Sequence, residues 1–304
     1  MIKVENLTFE YPGIRALDNI SLGINKGDIM ALVGPNGAGK TTLLHCMAAL
    51  DAPLSGTILL EGRNVLDDPR ACHQKIGYLP DFFGLYTELT IRQCLTYMAM
   101  AHKIQPTNIN QSVIRAARRL KIDDRLEDKA GTLSRGLKQR LAIAQSIVHE
   151  PEILLLDEPA SGLDPEARKS LSELFLELRD QGMTLVVSSH ILSELEDYCT
   201  NMIIVRDGKI VEHKLIEREN ENLITIILQA INEQTEIIQI LKKTDQVSCV
   251  TPAREGVSFR YPGDRQLQGR LLRQLMEQGI NIYSFTTEKK NMQDAYLEQV
   301  GKLG

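Results

Sequence analysis

Apolar and polar residues alternate in short runs along the first 33 positions, interrupted by Pro12-Gly13 and Lys26-Gly27-Asp28. This pattern predicts strands that end in a continuously apolar one at 29–33. A Gly-rich turn leads from it into an apolar helix expected over 41–50. After Ser-Gly-Thr at 55–57 and Glu-Gly at 61–62, a mostly helical stretch is expected over 91–120, and another helix opens near Ser134. A strand at 153–156, a helix over 165–181 and a strand at 184–188 follow. Asp207-Gly208, set between apolar runs, signals a hairpin. Strands alternating with helices imply an α/β class with a largely parallel sheet and an antiparallel edge.

Polarity rises at Ile-Glu-Arg-Glu-Asn-Glu-Asn, residues 216–222, which places a boundary between a domain at 1–215 and one at 216–304. Beyond it the pattern predicts a strand at 223–229, a helix at 233–243 and strands at 247–251 and 256–261. A helix at 265–278, a strand at 280–286 and a helix at 290–300 complete it. Leu267, Leu271 and Leu275, with Leu272 and Met276, recur at helical spacing and are expected to form one buried face. The order β-α-β-β-α-β is that of a small ferredoxin-like α+β domain.

Composition narrows the function. At 304 residues the chain has room for about two domains. A net charge of −5 and a pI near 5.8 give no general attraction to polyanions, so nucleic acid is not expected as a partner. The N-terminal residues alternate and lack an apolar core, so they read as a strand and not a signal peptide. Apolar runs such as 153–156 and 226–228 are far short of the ~20 residues that cross a bilayer, so a membrane role must use a partner. Cys46, Cys72, Cys94, Cys199 and Cys249 show no metal-binding spacing and read as reduced, semi-buried thiols of a cytosolic protein.

Gly34-Pro35-Asn36-Gly37-Ala38-Gly39-Lys40-Thr41 joins the apolar strand to the helix. Its glycines let the backbone wrap around phosphates, successive N–H groups donate to oxygens, Lys40 neutralises charge, and Thr41 can bind Mg²⁺. The strand at 153–156 delivers Asp157 and Glu158 at its C-terminal end, where open α/β sheets bind ligands. An acid there suits Mg²⁺, and the next carboxylate suits orienting an attacking water. His190 follows the strand at 184–188 at the same edge, positioned for a γ-phosphate contact. Ser134 and Gly136 open a second helix whose free N–H groups suit an anion. Because the chain already holds one triphosphate site, this helix start is expected to close the pocket of a second copy paired head to tail.

The order of the phosphate loop, Thr-Leu-Ser-Arg-Gly-Leu-Lys-Gln-Arg-Leu at 132–141, Ile-Leu-Leu-Leu-Asp-Glu-Pro at 153–159, Ser-Gly-Leu-Asp at 161–164 and Ser-Ser-His at 188–190 resembles the ATP-binding subunit of an ABC transporter. The resemblance covers roughly residues 1–214. It implies an ABC ATPase core with an antiparallel β subdomain and a helical subdomain near 88–150, using ATP and Mg²⁺. By motif, Tyr11 would stack on adenine and Gly34, Pro35, Asn36, Gly37, Ala38, Gly39, Lys40, Thr41 and Thr42 would hold the phosphates. Ser134, Arg135 and Gly136 would be lent across a dimer. Thr41 and Asp157 would serve the metal, Glu158 would be the catalytic carboxylate and His190 the switch histidine, and 161–164 would couple the two sites.

Two departures stand out. Arg135 and Leu137 replace the Gly and Gln of the usual Leu-Ser-Gly-Gly-Gln, a form similar to exporters whose permease is a separate chain. Asp81, in Gly-Tyr-Leu-Pro-Asp at 77–81, stands where the family has Gln and is placed with both the metal and the catalytic residues. The implied partners are an integral membrane permease and a second ATP-binding subunit, identical or not, on the inner face of the cell membrane. An ABC-type ATPase remodelling DNA or ribosomes is the alternative, although such proteins carry a long coiled coil or a duplicated ATPase domain, and neither is present here. A nucleotide kinase or GTPase would have no use for the helix start at 134, and no Asn-Lys-x-Asp sequence occurs.

Overall fold

The computed structural model describes residues 1–191, 195, 198–215, 223–253 and 256–288. The chain divides into two compact units, Met1–Ile216 and Glu217–Gly304. In the first, β1 (Ile2–Tyr11) and β2 (Ile14–Ile24) mix buried and exposed positions, whereas β3 (Ile29–Val33) is buried throughout. That contrast separates a sheet with one wet face from a strand covered on both. α1 (Lys40–Met47), β4 (Ser55–Leu60), β5 (Arg63–Asn64), α2 (Pro69–Lys75) and β6 (Ile76–Leu79) come next. α3 (Ile91–Ala101), α4 (Pro106–Arg119) and α5 (Arg135–Ile147) pack on one another. β7 (Ile153–Leu156), α6 (Pro165–Asp180), β8 (Thr184–Ser189), β9 (Asn201–Arg206) and β10 (Lys209–Leu215) complete the unit.

Two sheets result. One is antiparallel in the order β2-β1-β4-β5, and the other has the order β10-β9-β3-β8-β7-β6. Pairing in the second is parallel except between β9 and β10. Asp207 (φ 50) and Gly208 (φ 73) both adopt the left-handed region that a tight hairpin between those two strands requires. The register sets Val33 beside Ser189 and Leu156 beside Val187, so β3, β7 and β8 deliver their C-terminal ends to one edge. β7 is buried at all four positions, and each such apolar side chain contributes roughly 1.5–3 kcal/mol.

Local chemistry shortens two of the expected helices. α1 stops at Met47 because Ala49 turns to φ 53, although Ala48 stays buried. The stretch expected over 91–120 is two helices. α3 begins with a reciprocal Thr90–Gln93 capping box, Lys103 (φ 57) breaks the run, and Pro106 restarts it at the first turn of α4, where a missing N–H costs nothing.

The second unit contains β11 (Leu223–Ala230), α7 (Gln234–Leu241), β12 (Ser248–Ala253), β13 (Gly256–Pro262), α8 (Arg265–Glu277) and β14 (Ile282–Glu288). Its sheet is antiparallel in the order β12-β13-β11-β14. Ile226, Leu228, Val257 and Phe259 from the sheet pack with Ile237 and Leu241 of α7 and Leu271 and Leu275 of α8. Met276, expected on the buried face of α8, is exposed instead. At about 100° per residue it lies a quarter turn from Leu275 and further still from Leu271. The helix expected at 290–300 lies outside the described residues. Of the five cysteines, Cys46, Cys72, Cys94 and Cys199 are buried and Cys249 is exposed.

Candidate functional site

The loop between β3 and α1 is held by close backbone approaches that exclude side chains. A Cβ at Gly34 would sit 2.2 Å from the Val205 carbonyl oxygen, and one at Gly39, the N-cap of α1 at φ 105, would sit 2.5 Å from that of Ala16. Gly208 N–H donates to the Ala38 carbonyl at 3.1 Å, so the β9–β10 hairpin also supports the loop. Lys40, only 6% exposed, folds back to donate to the Gly34 carbonyl at 2.7 Å and the Pro35 carbonyl at 3.3 Å. Its Nζ also lies 3.3 Å from Glu158 Oε1, an ion pair without hydrogen-bond geometry, since that buried oxygen has no hydrogen-bond partner.

β7 and β8 supply the acids and their supports. Thr41 Oγ1 donates to Asp157 Oδ2 at 2.7 Å, and Ser188 Oγ donates to Asp157 Oδ1 at 2.5 Å. Ser188 Oγ also accepts from the Glu158 N–H at 2.9 Å. Glu158 itself takes φ 46, which turns its carboxylate back over the loop; a left-handed non-Gly residue costs of order 1 kcal/mol and persists where its surroundings over-determine it. His190 Nδ1 lies 2.8 Å from Glu158 Oε2 and so holds the second oxygen.

Tyr11, Asn36, Gly37, Ala38, Gly39, Lys40, Thr41, Thr42, Asp81 and Glu158 line one cavity of about 530 Å³. The Tyr11 hydroxyl lies 3.4 Å from that of Thr42, and its ring meets Phe9 edge-on at 4.9 Å. Burial, then the charges of Asp157 and Glu158, push the Asp81 carboxyl above the usual carboxylate range against the pull of His190 and Lys40. Gly34, Pro35, Asp157 and His190 do not line this cavity but are joined to residues that do through the bonds just given. Ser134, Arg135 and Gly136 are not brought to this cavity. Ser134 caps α5, accepting from the Leu137 N–H at 3.3 Å, and with Gly136 it borders a different cavity of about 370 Å³ that also takes in Leu163, Asp164 and Ala167. Sequence reasoning included Ser188 in Ser-Ser-His at 188–190 but gave it no role of its own; its bond to Asp157 follows from its place on a parallel neighbour. That reasoning passed over Arg15 and Asp207, which join the cavity from β2 and the hairpin.

Residues 17–161 match the family described as ABC transporter. The chain is 33% identical to the Nod factor export ATP-binding protein I of Burkholderia orbicola over 72% of its length and 73% of that protein. The chain belongs to the ABC transporter ATP-binding family. It is also 28% identical to the bacitracin transport ATP-binding protein of Bacillus licheniformis, over 99% of this chain and 97% of that one. Among solved structures, a dimeric post-hydrolysis ATP-binding cassette bound to ADP and phosphate superposes with a TM-score of 0.64 and 25% identity, covering 71% of this chain and 99% of that one. This ABC protein is an ATPase, the ATP-binding and ATP-hydrolysing subunit of a membrane transporter. Among its described residues no helix is long and apolar enough to cross a membrane.

Among the described residues no three His, Cys, Asp or Glu side chains cluster as a metal site. What is present is a Thr41 hydroxyl bonded to the Asp157 carboxylate, with Asp81 facing the same cavity. Oxygen donors numbering one or two, completed by substrate phosphates and water, are what Mg²⁺ takes in nucleotide sites, so these residues fit that ion.

Proposed function

We propose that two copies of the chain, or this chain and a similar subunit, close head to tail around two ATP molecules and so drive an exporter's separate permease. The separation of Ser134, Arg135 and Gly136 from the Lys40 cavity supports this reading. A helix start built to receive an anion, yet aimed at no phosphate of its own chain, is useful to a partner's. In this reading Tyr11 stacks on adenine, residues 34–42 cradle the phosphates, and Lys40 leaves Glu158 to neutralise them. Glu158 then orients and deprotonates the attacking water while His190 fixes its other oxygen. Thr41, Asp157 and Asp81 would hold Mg²⁺, which when bound neutralises charge on the phosphate oxygens.

Exposed Phe82, Tyr86, Tyr97 and Met100 follow Asp81 or lie on α3, and they suit docking of a permease's cytoplasmic segment. That partner would hold the subunit at the inner face of the cell membrane. The 4-1-3-2 strand order of the second unit supports a ferredoxin-like accessory domain beginning near residue 216.

Subunit mixing tests the composite pocket. Lys40→Met and Gly136→Arg proteins are each expected to lose ATP turnover. A mixture is expected to recover part of it, because a mixed dimer holds one site built from the intact loop of one chain and the intact helix start of the other. No recovery, with mixed dimers demonstrated by mass, would refute the reading.

A further inference from the structure

We infer that Arg135 is a positioning residue for hydrolysis, latching the loop 161–164 that follows Glu158 to the start of α5 within the same chain. Arg135 Nη2 donates to the Ser161 carbonyl at 3.0 Å. Its guanidinium covers the next residue so closely that a Cβ on Gly162 would meet Nη2 at 2.1 Å, Cζ at 2.4 Å and Nη1 at 2.6 Å. Gly162 adopts φ 64, so the glycine serves both the turn and the arginine. A glycine at 135, the residue the resemblance leads one to expect there, could make neither contact.

The latch continues to the catalytic carboxylate through backbone. Ser161 N–H donates to the Glu158 carbonyl at 3.0 Å, while its own carbonyl is taken by Arg135. The far half of the loop is held differently. Arg168 Nε and Nη2 donate to the Leu163 carbonyl at 3.2 and 3.0 Å, and Asp164 caps α6 through the Ala167 N–H at 2.8 Å, so those bonds stay within the loop and its own helix. Arg135 instead reaches the loop from α5. A displacement of the Ser134 helix start is therefore passed to the backbone of Glu158, the residue already held at φ 46. Neighbours of both ends of the latch, Ser134 and Gly136 at the start of α5 and Leu163 and Asp164 in the loop, border the 370 Å³ cavity on the face offered to a partner. Closure over this face would desolvate the charge-assisted bond and tighten it. An arriving partner would then set Glu158 through α5.

This inference rests on Glu158 being the catalytic carboxylate, and the test separates the two. Arg135→Ala is expected to lower kcat about fivefold with KM for ATP within twofold, and Arg135→Lys, which keeps one donor, to restore part of the loss. Gly162→Ala is expected to cost a similar factor in the parent but under twofold on top of Arg135→Ala. Hydrogen exchange of the 160–164 amides in nucleotide-free protein is expected to quicken in Arg135→Ala. Equal losses from Gly162→Ala in both backgrounds would show backbone strain alone and overturn the latch. Unchanged exchange would do the same, as would a raised KM at constant kcat, the mark of direct nucleotide contact. Glu158→Gln, assayed alongside, reports on the catalytic assignment only: its undiminished turnover would overturn that assignment, while the exchange data still decide the latch.

Discussion

Lys40 shares its pocket with the carboxylates of Asp81, Glu158 and Asp207 and forms an ion pair with Glu158. Burial, and then the negative charges of Asp157 and Glu158, push the Asp81 carboxyl upward. A raised carboxylate pKa means that the folded state holds the proton more tightly than the unfolded chain. Folding stability is therefore lost as pH rises through that value and regained below the ordinary carboxylate range. Asp81→Gln is expected to raise Tm of the nucleotide-free protein at pH 7, with the gain vanishing under acid. The same variant is expected to hydrolyse ATP with an altered Mg²⁺ requirement, since it replaces a charged oxygen facing the cavity proposed to hold the metal by a neutral one. An unchanged Mg²⁺ titration would count against a metal role for Asp81. Most of these side chains were legible as motif residues, because each sits in a contiguous run with its own chemistry. The bond from Ser188 to Asp157 was not, since a serine ending an apolar strand looks the same whether or not an acid lies beside it.

At the scale of elements, α3 and α5 meet through a histidine pair that no motif announces. His102, the C-cap of α3, stacks on His149, just beyond α5, with ring centroids 3.7 Å apart and planes 4° apart. Burial, then the charge of His102, depress His149 to about 4 against the opposing pull of the Ile76 and His73 backbone. A depressed histidine stabilises the fold above its unfolded value near 6.5, and that contribution is lost as pH falls from there towards 4. His149→Asn is expected to flatten the acid limb of stability in this window by up to about 1.4 kcal/mol per pH unit, read by denaturant titration at several pH values. In the second unit Asp264 caps α8, accepting from Gln266 and Leu267 N–H at 2.7 and 3.0 Å. Asp264→Ala is expected to cost about 1 kcal/mol, seen as faster amide exchange in α8. Helix existence followed from periodicity, but the break between α3 and α4 needed Lys103 to enter the left-handed region, which no pattern of apolar residues specifies.

For the whole molecule, the expected consequence of a composite pocket is ATP-dependent association. Glu158→Gln with ATP is expected to sediment as a dimer, and Lys40→Met with ATP as a monomer. Tyr97→Asp is expected to reduce copurification with the permease while leaving ATPase activity of the isolated subunit intact. What the chain determined by itself was local: the phosphate loop between an apolar strand and a helix, the capped start at Ser134, and the acids that end β7. Consecutive backbone groups and side chains a turn apart carry that information. Tertiary structure alone decided which of these meet. Lys40, Asp157, Ser188 and His190 come together because β3, β7 and β8 are buried side by side in one parallel register. The same packing keeps Ser134 and its neighbours away from their own chain's phosphate loop. Register is set by burying whole strands between layers, a sum over distant contacts that no single stretch of sequence contains.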